Sequence, residues 1–188
     1  KDYLQFFDNT ADNITTGSVS FSGTHTETEV LGNFSTSNAG KLGSKNNWKD
    51  IGTGNNAGKA TIDYTGSGDG RSLLIDDNNN NSSGSAVVAS DSFTITNNNT
   101  TLSFNYTQSD RKSGDSFSWK LQSLNTNGTW TDVSGKSDSY NDNSTSTRTA
   151  NITNISKGEY RLVLTVDDGS RNGEYSVKVD NITISASV

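Results

Sequence analysis

The chain has 188 residues, 28% hydrophobic and 9% aromatic, enough for one domain with one compact core and too aromatic for a disordered chain. It carries no Cys, which excludes disulfides and thiolate metal sites, and no apolar run approaches membrane-spanning length. The net charge of −6, from 21 acidic and 15 basic residues, speaks against nucleic acid, whose phosphates need a basic footprint.

Along the chain, Tyr3, Leu4, Phe6 and Phe7 precede Asp8-Asn9 and Asp12-Asn13. Residues 1–30 are expected to form an added strand and loop covering one edge of a single domain that spans 1–188. Strands are then expected at Ser18–Phe21, Ala60–Tyr64, Ser72–Ile75, Ala86–Ala89 and Phe93–Thr96, separated by Gly, Asn, Asp and Ser. Asp76 to Ser83 is low in complexity and reads as a loop. Thr101 to Tyr106 alternates, with Leu102, Phe104 and Tyr106 on one face. Asp115 to Gln122 puts Phe117, Trp119 and Leu121 together, so Trp119 belongs to the core. Asn127-Gly128 marks a hairpin before a strand at Trp130–Val133. Thr147–Ile152 follows, then Glu159 to Val166 with Tyr160, Leu162, Leu164 and Val166 in phase.

In the last strand Val177 and Val179 share a face, whereas Ile182 and Ile184 have the opposite parity. A β-bulge at Asp180-Asn181 restores the phase and re-aims Asp180, inward or toward a neighbouring loop. No amphipathic helix and no internal repeat is found. Many short strands with turns at this spacing predict an all-β fold, an antiparallel β-sandwich of jelly-roll type with calcium-bearing loops. The Asn-x-Ser/Thr triplets at Asn13, Asn99 and Asn151 arise by chance in such a composition and carry no weight.

The acidic residues cluster in loops beside Asn and Gly, the oxygen-rich surroundings that hard cations prefer. Asp76-Asp77, Asp110 with Asp115, and Asp167-Asp168 are the loop candidates for calcium, and Asp180 is the candidate at the bulge. None has EF-hand spacing. Catalysis is not expected. A Ser-His or Cys-His arrangement needs an imidazole base, and the single His, His25, lies in a polar stretch. For ligand binding, Trp130 after its turn and Tyr140 are the aromatic candidates. Arg111, between Asp110 and Asp115, offers a guanidinium fork suited to a peptide C-terminus or an acidic sugar beside a calcium ion.

Val179-Asp180-Asn181-Ile182-Thr183-Ile184 resembles the closing strand of carbohydrate-binding-module jelly rolls, whose Asp commonly binds structural calcium. Gly32-Asn33-Phe34-Ser35 followed by Trp48 resembles their opening pattern, with Ser35 where those modules carry an acidic residue. The Asn/Asp/Ser/Thr richness, the missing Cys and Met, and the stretch from Gly158 to Asp168 look like modules of giant type-I-secreted repeats-in-toxin adhesins. That resemblance implies a calcium-dependent adhesion module on the bacterial cell surface, binding a peptide or glycan of another cell. It further implies an internal, monomeric unit of a larger chain, in line with a start at Lys1-Asp2 and no leader. The alternatives are a structural spacer of the same adhesin, or a carbohydrate-binding module of a secreted glycosidase.

Overall fold

The computed structural model describes residues 26–32, 48–53, 60–64, 71–77, 84–96, 98–143, 146–169 and 175–187. The expected strand Ser18–Phe21, the aromatics Tyr3 to Phe7, His25, and Asn33 to Ser35 lie outside these residues. Among these residues twelve strands are present: β1 (Thr26–Gly32), β2 (Trp48–Asp50), β3 (Ala60–Tyr64), β4 (Arg71–Asp77), β5 (Gly84–Ser90), β6 (Phe93–Ile95), β7 (Asn99–Ser109), β8 (Ser116–Leu124), β9 (Trp130–Tyr140), β10 (Ser146–Thr153), β11 (Gly158–Asp168) and β12 (Tyr175–Ser187). Among the described residues there is no helix, and so none long and apolar enough to cross a membrane.

The strands form two sheets, and every pairing is antiparallel. The first sheet runs β10-β7-β12-β4-β3, with β1 beside β12. The second runs β2-β5-β11-β8-β9, with β6 beside β11. β1 pairs with β12 from Thr26↔Ser187 to Gly32↔Ile182, so it covers the stretch of β12 that β4 leaves.

The period-two pattern explains the core. Leu102, Phe104 and Tyr106 of β7 meet Phe117, Trp119 and Leu121 of β8, and Leu162, Leu164 and Val166 of β11, in one buried cluster. Phe104, Tyr106, Phe117 and the half-buried Tyr140 form a knot of rings with centroids 5.8–6.3 Å apart. Trp119 is 4% exposed, as its phase requires, and its indole N–H donates to Tyr140 Oη at 3.1 Å.

The bulge in β12 is where the parity break puts it. Asp180 pairs with Asn105 and Thr183 with Ser103, so one extra residue is accommodated on β12. Asn181 absorbs it at φ 51°, a left-handed conformation Asn tolerates better than most side chains. Val177 and Val179, then Ile182 and Ile184, are all buried as a result. The carboxylate of Asp180 is half-buried and accepts the Asn181 backbone N–H at 2.8 Å. It braces the bulge locally and is not turned into the core.

The hairpin at Asn127-Gly128 is also present. Gly128 alone has positive φ, at 80°, and Asn125 N–H donates to Thr129 C=O at 2.8 Å. This is a longer hairpin loop with glycine in the left-handed position and not a two-residue turn. β9 runs on to Tyr140, beyond the expected Val133. Its second half, Ser134 to Ser139, carries no alternating apolar residue, and Val133 to Lys136 bulge out opposite Leu121. Lys136 Nζ reaches Thr153 C=O on β10 and ties the sandwich together along this side.

Candidate functional site

Six of the seven candidate calcium residues come to one end of the sandwich. Tyr175 pairs with Asp77, Ser176 with Asp76 and Ser109, Asp167 with Ser85 and Ser116, and Asp168 with Gly84. Asp110 and Asp115 flank the loop between β7 and β8 at the same end. Asp115 and Asp168 are each 1% exposed. The Asp115 carboxylate accepts Lys112 N–H at 2.6 Å and so shapes its own loop. The two loops touch at Gly114 and Gly169, where neither residue has a side chain to hold them apart. Asp180 stands apart, partway along β12. Among the described residues, no group of three or more acidic or imidazole side chains is placed to hold a metal ion.

Arg111, Asp110 and Tyr140 belong to this end too. Asp110 is exposed, with φ 60°. Arg111 is half-buried and turns onto the next loop, donating from Nη1 to Asn143 Oδ1 at 3.1 Å. Its Nε is buried with no hydrogen-bond partner among the described residues. Arg148 lies 4.5 Å over the Tyr140 ring, and its Nη2 donates to Asp142 Oδ2 at 2.6 Å and to Tyr106 Oη at 2.9 Å. Gln108 joins the next layer, accepting from Tyr175 Oη at 2.9 Å and donating to Asp142 C=O at 2.8 Å. This end is therefore a polar network behind the ring knot, in which Arg111 Nε is left without a hydrogen bond among the described residues.

Burial pushes the Tyr175 phenol up to about 12, with the nearby Arg111 cation opposing the rise. An unfolded tyrosine ionises near pH 10, so between about 10 and 12 the unfolded chain loses its proton first. Stability should fall across that window by as much as about 3 kcal/mol from this residue. Urea unfolding from pH 9 to 12 checks this. Tyr175→Phe should flatten the alkaline limb, because the folded-state shift is removed with the hydroxyl.

Trp130 lies elsewhere. It opens β9, and Tyr140 closes it; the two are up to about 33 Å apart along an extended strand. The proposed aromatic contacts thus split between opposite ends of the sandwich. At the Trp130 end, a cleft of about 290 Å³ is lined by Lys49, Ala89, Ser90, Asp91, Ser92, Trp130 and Arg161.

Local chemistry builds this cleft. β11 passes from β5 to β6 as its partner, and Leu162 N–H would be stranded at the switch. The buried Ser90 hydroxyl accepts it at 2.9 Å and donates to Asp91 C=O at 2.8 Å. That fixes the Asp91-Ser92 corner at the cleft rim. Lys49 of β2 reaches Asp91 across 3.6 Å. On the outer face of the second sheet, Arg161, Gln122 and Asp132 form a cross-strand row. Arg161 Nε donates to Gln122 Oε1 at 2.8 Å, and Gln122 Nε2 to Asp132 Oδ1 at 2.7 Å. Lys120 donates to the other Asp132 oxygen at 2.9 Å. Hydrogen bonds from Gln122 and then Lys120 hold the Asp132 carboxyl below its ordinary range. The Arg161 guanidinium lies 4.6 Å over the Trp130 ring and fixes both groups. Partial burial pulls the pKa of Arg161 below its ordinary value.

Lys49, Asp91 and Arg161 were not among the residues expected from sequence. Arg161 shares the outward phase of β11 with Glu159 and Thr165, and only its cross-strand neighbours distinguish it.

No protein-family model matches the sequence, and no curated protein matches it. The fold is nevertheless similar to several solved structures. One is an arabinose-bound α-L-arabinofuranosidase, with 10% identity and a TM-score of 0.51 over 82% of this chain and 26% of that one. A structure of promiscuous carbohydrate-binding modules of the β-sandwich superfamily has 18% identity and a TM-score of 0.52, covering 81% of this chain and 60% of that one. A family 16 carbohydrate-binding module has 13% identity and a TM-score of 0.52, covering 83% of this chain and 99% of that one. This chain thus spans about a quarter of the arabinofuranosidase and nearly the whole of the last module. The likeness establishes the fold: an antiparallel jelly-roll sandwich like that of carbohydrate-binding modules.

Proposed function

We propose that this chain is a non-catalytic, extracellular carbohydrate-binding module that holds a glycan in the Trp130 cleft. The observation that carries this is a half-exposed indole locked by Arg161 at the wall of a cleft, on a sheet face otherwise free of aromatic rings among the described residues. A fixed indole offers a flat apolar surface for a pyranose ring, and the cleft's polar groups orient the hydroxyls. Likeness in fold to carbohydrate-binding modules supports the same reading. Binding without hydrolysis suits the cleft, because Asp91 is the one carboxylate among its described lining residues and glycosidases use a pair. The sequence resemblance to secreted adhesins suits a glycan on another cell, where many weak contacts add up.

A glycan array followed by titration calorimetry tests the proposal. Trp130→Ala should weaken binding by about tenfold or more, equivalent to about 1.4 kcal/mol, with an unchanged melting temperature. Binding that survives Trp130→Ala would move the site out of this cleft. Run in calcium and in EDTA, the same titrations and melts examine calcium at the acidic end. There two buried carboxylates beside touching loops favour a cation, and its removal should lower the melting midpoint by several degrees.

A further inference from the structure

We infer that the Trp130 cleft selects an acidic sugar, taking the carboxylate of a uronate residue on Arg161 with Lys49 beside it. The inference rests on the glycan-binding reading and adds the ligand's charge to it. Three observations lead there. Arg161 uses its Nε on Gln122 and its face on Trp130. Its two terminal nitrogens have no acceptor among the described residues. A guanidinium stacked on a ring keeps its N–H groups in its own plane, so its outer edge stays available as a two-pronged donor.

The balance of charge points the same way. The chain carries −6 overall, yet among the described residues the cleft sets two cations, Arg161 and Lys49, against the single carboxylate of Asp91. Asp132, the nearest acid along the row, already accepts from Lys120 and Gln122. Glu159, in phase with Arg161 on β11, is exposed and does not line the cleft. The guanidinium thus lacks a carboxylate partner among the described residues.

The fork geometry favours a planar carboxylate, which accepts two parallel N–H groups. With Trp130 at the wall, the group bearing it should be a sugar ring stacked on the indole.

Calorimetry on the 188-residue chain can compare a galacturonate trisaccharide with the neutral galactose trisaccharide, and a mannuronate trisaccharide with the mannose one. In at least one pair the acidic member should bind about tenfold tighter or more, and the advantage should shrink as salt rises to about 0.15 M. Arg161→Gln should bring the acidic-to-neutral ratio close to one. Arg161→Lys keeps the charge without the fork and should retain only part of the ratio. Melting curves confirm that each variant is folded. Lys112→Gln removes the same charge at the opposite end of the sandwich and should leave the ratio as it is. Equal affinity within both pairs, or a ratio unmoved in folded Arg161→Gln and Arg161→Lys, would overturn the charge selection and leave glycan binding standing. If no saccharide of either kind binds, the glycan reading falls and this inference falls with it.

Discussion

Trp48→Ala should cost about 3–5 kcal/mol of folding stability, the usual toll for emptying a fully buried tryptophan site. Trp48 is 0% exposed and is the largest of the fully buried side chains. It stands on β2, a strand of three residues that among the described residues pairs only with β5, from Trp48↔Ser90 to Asp50↔Val88. Beyond that ladder, Ile51 N–H donates to Val87 C=O and Gly52 N–H to the Asp50 carboxylate, each at 2.9 Å. So short a strand has little backbone to hold it, and the indole in the core is its main anchor. Total stabilities of domains are about 5–15 kcal/mol, so the loss would be a large share. Urea unfolding of the two proteins measures it. A loss under about 1 kcal/mol would mean that β2 is not docked by this side chain. Because Lys49 alternates with Trp48 and reaches the cleft, the variant should also weaken glycan binding.

That tryptophan shows how sequence and fold meet. Its place in the chain was legible through a motif-like resemblance, but its strand was not. Trp48-Lys49-Asp50 holds one apolar residue, and a period of two cannot be read from a single point. Where apolar residues recur, as in Leu102-Phe104-Tyr106 or Tyr160-Leu162-Leu164-Val166, the inward face was plain, because a one-residue slip would expose every one of them. The parity change between Val179 and Ile182 likewise revealed the bulge. What Asp180 does there was not legible, since a carboxylate satisfied by the next backbone N–H leaves no trace in the pattern.

The sites depended on register in a way composition does not record. Asp115 and Asp168 are 53 positions apart in the numbering, and only the antiparallel pairing of β8 with β11, which sets Ser116 opposite Asp167, brings their loops together. Trp130 and Tyr140 share a strand and look like neighbours, yet the strand's length sends them to opposite ends. Arg161 looked like one outward residue among several on β11. Its significance comes from standing opposite Gln122 and over Trp130, contacts between strands that pair only in the folded sheet.

Gly169→Ala should separate these two ends experimentally. A methyl group at residue 169 would sit 2.4 Å from the Gly114 carbonyl oxygen and 2.9 Å from its carbon. Both atoms are backbone, so no side-chain rotation relieves the clash. The loop around Gly114 has little freedom to retreat. Gly114 holds φ 99°, a region closed to most side chains, and the buried Asp115 next to it is tied to Lys112 N–H. Overpacking of this kind costs about 1–3 kcal/mol, and more where backbone must move. Gly114→Ala should also destabilise, for a different reason: its new methyl group would be 3.7 Å or more from Gly169, but the φ is strained for alanine. Urea unfolding should therefore show both variants below the parent. Prising the loops apart at Gly169 would loosen the Arg111, Tyr175 and Asp115 surroundings, so the alkaline limb of the stability profile should shrink with it. Glycan affinity, which belongs to the far end of β9, should stay within about twofold of the parent, well below a 1.4 kcal/mol step. A Gly169→Ala protein as stable as the parent would show that the two loops do not meet, and one that is stable but cannot bind glycan would place the ligand at the acidic end.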